Sequence, residues 1–592
     1  MATTGSTLGR KDRLLNRHYA WRSRYKAAGH GFVREPVPRT IGNALRGQRL
    51  VEGKLLFAGY LVTSDDTDLW DVRAPDGAFE NERQGFDWLD DLAAVGGFQA
   101  RRKAQRWLRV WIDLYGMGAG PGWTPELTGR RVIRWINNAM FVLHGLKTAE
   151  REQFHAALSR QAWFLSKRWR AARPGVPRIE ALCGLIYAAL SLEGHAVLAD
   201  PAVTALAHEC NAAIDGAGGL PSRNPEELLH VLVLLNWAAA ALLEAGRGTP
   251  PALHEAIDRV APTLRALAHG DGALARFHGG GRGLEGLLEH ALADAGGKRK
   301  PRQGTAMGFI RLAAARTSVI IDAAPPPKGW AATDAHASTL AFEMTSARRP
   351  LIVNAGSGVS FGPDWRRVGR ATAAHSTLCL AGQSSAGLAP VDPDSGLEAL
   401  TGGPTDVPME RTRVHGSQRF EAGHDGYVAA CGLTHARAFE LFDDGRTLEA
   451  EDMLFAMQDA DEARFDAALA QSDGHGLGAD IHFHLHPDVE VEQDRVRNMV
   501  RLMLANGETW EFTHDARFTL SVEPGYYLER GRLEPRATKQ IVLSGRAMDY
   551  ATRVRWALAK SAETGIALRD VPMDDVDETD ETDETGGTQE NS

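Results

Sequence analysis

The chain is poor in cysteine, with Cys183, Cys210, Cys379 and Cys431 the only four in 592 residues. They are scattered and form no C-x-x-C pair, which excludes a disulfide scaffold and a cysteine metal cluster and leaves reduced core thiols. No uninterrupted apolar run reaches the roughly 18 residues of a spanning helix, so no transmembrane segment is expected. The opening stretch, MATTGSTLGRKDRLLNRHYAWRSRYKAAG, has basic residues but neither an apolar core nor a small-residue cleavage site, and the expected location is the cytoplasm. The glycine-rich GGGRG at 279–283 lacks the strand-to-helix context of a phosphate loop. Lysine and arginine are absent from 571–592, where nine acids stand.

What is present is ordinary globular composition, 43% hydrophobic and 24% charged, in a chain long enough for two or three domains. The net charge of -9 is carried by that acidic tail, so the rest is nearly neutral, while the first fifty residues hold eleven Lys and Arg against Asp12 and Glu35. Head and tail can pair with each other, or the head can approach an anionic polymer or membrane surface. The simplest reading is a basic N-terminal segment over 1–60 with a solvated face, and a disordered acidic tail over 571–592.

Between these ends the hydrophobic period changes once. From about Phe86 to Leu292, blocks such as ARRKAQRWLRVWIDLYG, TGRRVIRWINNAMFVLHGL and PEELLHVLVLLNWAAAALLEA place apolar residues at i, i+3, i+4 and i+7. Helix after helix with short Gly/Pro connectors must bury its stripes pairwise, as a solenoid or a closed toroid of hairpins, and no fixed-length repeat chooses between them. After the connector GGKRKPRQG the period falls to 2, and about ten strand candidates punctuated by DG, NG and GP turns predict a large antiparallel β-sandwich. The expected domains are therefore 61–295, helical, and 305–560, sandwich.

The densest chemistry lies in Asp334 to Leu380, DAHASTLAFEMTSARRPLIVNAGSGVSFGPDWRRVGRATAAHSTLCL. His336 and His375 sit on short alternating segments, with His336, Ser338, Leu340 and Phe342 on one side, and a turn region from Ala355 to Asp364 between them. That arrangement can bring both imidazoles together. The spacing resembles the heparinase II/III family of polysaccharide lyases, in which His-x-His-x-Asp-x-x-Ser-Phe precedes Asp-x-Gly and Arg-x-Thr-x-x-His-x-Thr. Phe342, Gly356, Arg370, Thr372, His375 and Thr377 match, and His336 takes the second histidine position. Asp334 stands for the first histidine, Ser338 for an aspartate and Asn354 for the metal-binding aspartate. A second similar stretch supplies His424, Asp425, Gly426, Tyr427, His435, Arg437, Glu451 and Asp452. The resemblance implies an N-terminal (α/α) toroid of helical hairpins joined to a large antiparallel β-sandwich, with the site in the cleft between them.

Such lyases cleave at a uronic acid by β-elimination, which requires neutralisation of the sugar carboxylate, a base for the C5 proton and an acid for the leaving oxygen. Relatives use an asparagine and a tyrosine from the toroid and a histidine from the sandwich. Here GAGGLPSRNPEELLHVL puts Asn224 before Pro225 as a helix N-cap and Glu227 at the tyrosine position, and Arg178 and Glu180 lie near the place of the asparagine. The resemblance thus nominates Asp334, Glu227, Asn224, Tyr427 and Arg178 for catalysis and Arg223, Arg370 and His424 for substrate. His336, Asn354 and His375 make a candidate site for zinc or calcium, and the same three side chains equally suit mutual hydrogen bonds in a dry interior. His482, His484 and His486 alternate on one strand and read as its polar face. The implied partner is an acidic polysaccharide or oligosaccharide, with no nucleic acid. Relatives mostly work in the cell envelope or periplasm, an alternative to the cytoplasm. Either the chain is a lyase, or it is a catalytically inactive glycan-binding or envelope-assembly protein of the same fold.

Overall fold

The computed structural model describes residues 9–26, 29, 31–63, 68–296, 300–392, 396–472, 474–562 and 564. The acidic tail at 571–592 lies outside the described residues.

Among the described residues from Arg10 to Asp294 the elements are helices, apart from the hairpin Lys54–Phe57 with Tyr60–Thr63. Proline at the first turn opens Pro125–Asn137, Val176–Ser191, Pro225–Glu244 and Pro251–Ala266, where its missing N–H has no helical partner to lose. Val176–Ser191 is the hub, buried along nearly its whole length, because its neighbours cover it on all sides. Its crossing with Pro125–Asn137 is a glycine contact: a Cβ on Gly184 would stand 2.6 Å from the Cα of Gly129. Aromatic residues fill the space beside it, with Trp88, Trp111 and Trp135 grouped around Phe86. Pro225–Glu244 is long and apolar enough to cross a membrane, but it is a core helix of this toroid, 72% buried.

The described residues before Tyr60 include two helices that pack onto this toroid. Arg168, at the end of Thr148–Arg168, donates to Asn16 at 2.6 Å and Asp12 at 2.7 Å, fixing the helix Arg10–Ser23. Ala44–Val51 lies on Asp87–Val95, its N-cap Asn43 donating through its backbone to Asp91 at 2.8 Å.

Among the described residues eighteen strands follow between Phe309 and Lys560, more than the roughly ten expected, because single apolar stretches fold back on themselves. FIRLAA and TSVIID, for example, pair as one hairpin. One sheet runs Met409–Val414, Ser417–His424, Thr434–Phe442, Thr447–Phe455, Ala551–Lys560, Thr509–His514, Met499–Met503, Glu490–Asp494. The other runs Thr519–Tyr527, Arg536–Ala547, Leu477–Leu485, Arg349–Val353, Phe342–Ser346, Thr317–Asp322, Phe309–Ala314, with Leu378–Leu380 also on Leu477–Leu485. All pairings are antiparallel. Trp556 of the first sheet joins the two, stacked on Phe342 at 5.6 Å and edge-on to Phe483 at 4.7 Å, both of the second.

Two local expectations change. Residues 335–341 form no strand, since Phe342 opens it, and the histidines sit on loops instead. The region expected as a turn ends in a helix, Pro363–Arg370, which the glycines before it admit by their positive φ.

Candidate functional site

The cleft between toroid and sandwich is lined by Arg130, Arg173, Asn224, Glu226, Glu227, Trp330, Asp334 and Arg530 among others, and its cavity measures about 40 Å³. Its floor is the first turn of Pro225–Glu244. Asn224 caps that helix as expected, its side chain accepting from the backbone N–H of Glu226 at 3.0 Å and of Glu227 at 3.2 Å. Carboxylates in a first turn also gain from the helix dipole, which accounts for two adjacent glutamates here. Their fates differ. Glu226 turns to the sandwich, accepting from Arg530 at 3.0 Å and from the Gly281 N–H at 2.8 Å. Glu227 turns into the cleft, where its Oε2 is shut off from solvent with no hydrogen-bond partner among the described residues. Burial pushes this carboxyl up to about 7, the Asp334 carboxylate adds to the rise, and Ser222 and Arg173 oppose it.

Asp334 is engaged from the other side, accepting from Arg366 at 3.0 Å. Beneath the cleft Arg130 makes a two-pronged bond to Glu180, at 3.0 and 2.8 Å, and His230 reaches the same carboxylate at 2.8 Å. The guanidinium holds the Glu180 carboxyl well below the usual range against its burial. Arg130 is thereby fixed as a cation on the cleft wall.

The remaining nominated residues are committed elsewhere. Arg178 spends its donors on Ala172, Arg170 and Glu209 and faces a separate pocket. Arg223, at φ 51°, ties the toroid to the sandwich through the carbonyls of Met307, Gly308, Ala324 and Pro325 and the carboxylate of Asp322. Arg370 donates to the carbonyls of Ala335, Glu398 and Ala332, and burial lowers it to about 10. Tyr427 lies in the sandwich core with its hydroxyl donating to the Leu378 carbonyl at 2.8 Å. His424 is part of a buried chain: the Gly426 N–H donates to His424 Nδ1, and His424 Nε2 meets His435 Nδ1 at 3.2 Å. His435 Nε2 in turn meets Asp452 at 2.8 Å. These residues match the motif positions, and each has its polar atoms engaged by partners elsewhere in the toroid or sandwich.

His336 and His375 do converge. His336 Nε2 accepts from the Gly279 N–H at 3.0 Å, so its Nδ1 carries the proton and donates to His375 Nε2 at 3.0 Å; His375 Nδ1 then donates to the Ala371 carbonyl at 2.8 Å. Asn354 accepts from the Ser376 N–H at 3.1 Å. The lone pairs of both imidazoles are thus taken, and the carboxylate is replaced by an amide whose oxygen already accepts one hydrogen bond. The donor set does not fit a resident zinc or calcium ion. Among the described residues no three His, Cys, Asp or Glu side chains converge on a metal-binding arrangement. On the strand Leu477–Leu485, His484 bonds the Ala373 carbonyl and His482 meets Gln540.

Sequence reasoning missed Arg130, Arg173, Glu226 and Arg530. Glu226 was one register step from the chosen Glu227, and the helix phase alone tells them apart. Arg530 had no local signal, because it reaches the cleft from a hairpin 304 positions away from its partner.

Comparison with known proteins agrees with this architecture. A family model described as heparinase II/III-like, C-terminal, matches residues 296–557. FtsZ-localized protein C of Caulobacter vibrioides (strain NA1000 / CB15N) is 31% identical over 534 residues, 88% of this chain and 89% of that protein. Among solved structures, heparinase III superposes with a TM-score of 0.67 at 13% identity, over 93% of this chain and 90% of that one. A heparan sulfate lyase HepC mutant from Pedobacter heparinus gives a TM-score of 0.55 at 14% identity, covering 93% and 88%.

Proposed function

The chain belongs to the heparinase II/III-like family, and from that premise we propose that it is an envelope-assembly protein of the lyase fold that works with its cleft shut. The observation that carries this reading is the size of the cleft. Small-ligand pockets run from roughly 300 Å³ upward, and this one measures about 40 Å³. Arg530 and Glu226 bridge its mouth, and the carboxylate at the family's histidine position, Asp334, is paired to Arg366. A similar protein named for localization with FtsZ supports recruitment to the division machinery, where the fold serves as a binding body.

A second reading is favoured by one observation. Glu227 is a carboxyl raised to about 7 with an unpartnered oxygen, which is the state of a general base poised near neutral pH. If the bridge opens, Glu227 can take the C5 proton of a uronic acid and, once protonated, give it to the leaving oxygen as the C4–O bond breaks and the C4–C5 double bond forms, with Arg173 and Arg130 neutralising the sugar carboxylate.

One experiment separates them. The protein is incubated with heparan sulfate, chondroitin sulfate and alginate while the ultraviolet absorbance of the unsaturated product is followed, and in parallel it is sedimented with polymerised FtsZ. Co-sedimentation with a flat absorbance trace is the expected result. A rising absorbance abolished by Glu227→Gln would replace the assembly reading with the lyase.

A further inference from the structure

The helix Arg10–Ser23 has two unlike sides. Asn16, Ala20 and Ser23, spaced four and three apart, are buried, and the helix packs on Thr148–Arg168, where Arg168 holds Asn16 at 2.6 Å and Asp12 at 2.7 Å. The other side carries Leu14, Trp21 and Tyr25, spaced seven and four apart, which puts all three in one stripe directed away from the toroid. Tyr25 stands just past the helix and continues its turn, its N–H donating to the Arg22 carbonyl at 3.3 Å. The three side chains are 66%, 45% and 68% exposed, and the rings of Trp21 and Tyr25 meet edge-on at 5.2 Å.

Cations flank this stripe on both sides. By helical spacing Arg10, Arg13 and Arg17 run along one border and Lys11 and Arg22 along the other, and all five are exposed. The one acid between residues 9 and 26, Asp12, is already taken by Arg168. The apolar surface continues past the helix. Arg24 donates to the Met117 carbonyl at 3.0 Å, and a Cβ on Gly118 would stand 2.1 Å from the Ala20 carbonyl oxygen, so the turn after Gly97–Tyr115 abuts the helix and brings the exposed Met117 beside it.

An apolar stripe with a cationic border selects among anionic partners. A polyanion such as nucleic acid would pair with the arginines and leave Leu14, Trp21 and Tyr25 in water. An anionic lipid surface engages both parts: tryptophan and tyrosine rest at headgroup depth, leucine enters the acyl boundary below them, and lysine and arginine meet the lipid phosphates. We propose that the outward face of Arg10–Ser23 docks this protein on a membrane surface bearing anionic lipids. The bonds from Arg168 hold the helix formed before it meets the bilayer, so docking does not have to order it. The face shares no residue with the cleft, and the inference stands whether the cleft is shut or catalytic.

The test is flotation of the full chain with vesicles of phosphatidylcholine alone and of phosphatidylcholine mixed with phosphatidylglycerol. The mixed vesicles should bind at least twentyfold more tightly, and raising salt from about 0.1 to about 0.5 M should weaken that binding tenfold or more. Each cation held at an anionic surface is worth about fivefold in affinity, so the double variant Lys11→Glu, Arg17→Glu should bind at least twentyfold more weakly. The uncharged variant Leu14→Ser, Trp21→Ser should lose tenfold or more with every cation kept, and because both side chains face solvent its thermal melt should match the parent's. The proposal is overturned if the two vesicle types bind alike, if neither binds, or if the uncharged variant binds the mixed vesicles as the parent does. Double-stranded DNA that displaces the vesicles and binds the uncharged variant undiminished would assign the face to a polyanion and overturn it too.

Discussion

Arg530, on the hairpin between two sandwich strands, stands 3.0 Å from Glu226 in the first turn of a toroid helix. This pair links the two bodies at the cleft that both residues line. Because the pair is partly exposed, its removal should cost little stability, about 0.5–1 kcal/mol. Arg530→Ala is therefore expected to leave the melting temperature nearly unchanged while speeding amide exchange at 279–281. Unchanged exchange there would show that the latch does not hold the cleft shut.

The buried network around Asp452 should be far less tolerant. Asp452 accepts from Arg437 at 2.7 and 3.1 Å, from Trp556 at 2.8 Å, and faces His435. Arg437 in turn holds the carbonyls of Leu340 and Ser376, in the loops that carry the paired histidines. Asp452→Ala leaves a buried guanidinium unpaired, and a loss of about 3–5 kcal/mol is expected in denaturant unfolding. A loss under 1 kcal/mol would mean that the network is not a keystone of the sandwich.

Acid should unfold the protein early. Burial lowers His375 to about 4, and His336, His424 and His435 are lowered as well, His336 and His424 by their neighbouring imidazoles too. Between the unfolded value of about 6.5 and these folded values the unfolded chain binds more protons, so stability falls as pH falls through that window. Melting temperatures measured from pH 7 to 4.5 should decline steeply. His375→Gln should flatten the decline, and an unflattened curve would place the titration elsewhere.

Glu227 has the opposite sign. Its folded value, about 7, lies above the unfolded one, so the folded state binds the extra proton between roughly pH 4.5 and 7 and loses stability as pH rises through 7. Glu227→Gln should raise stability at pH 8 by about 1–3 kcal/mol and change it little at pH 5. Equal effects at both values would show that the carboxyl is not held neutral by the cleft.

Zinc or calcium added to the protein should leave its melting temperature within about a degree, since the lone pairs of His336 and His375 are committed to hydrogen bonds. A stabilisation that grows with metal concentration and is lost in His336→Ala would show that the trio opens to accept the ion.

The sequence by itself determined the architecture. A period of 3.6 up to Leu292 and of 2 after Ala306 is a local property, because each element must turn its own apolar face to a core, and both bodies follow from it. It also determined the cap at Asn224, whose bonds go to residues two and three positions on. The meeting of His336 and His375 was legible from the spacing of the motif. What those side chains do was not. Arg223, Arg370, Tyr427 and His424 occupy the motif's positions, yet their donors end on carbonyls and rings brought from distant parts of the chain. Which of two adjacent glutamates pairs with an arginine 304 positions away depends on how the sandwich is set against the toroid. That placement is fixed by long-range packing, which no local pattern records, and it alone decided that Glu226 meets Arg530 and that so little space is left between toroid and sandwich.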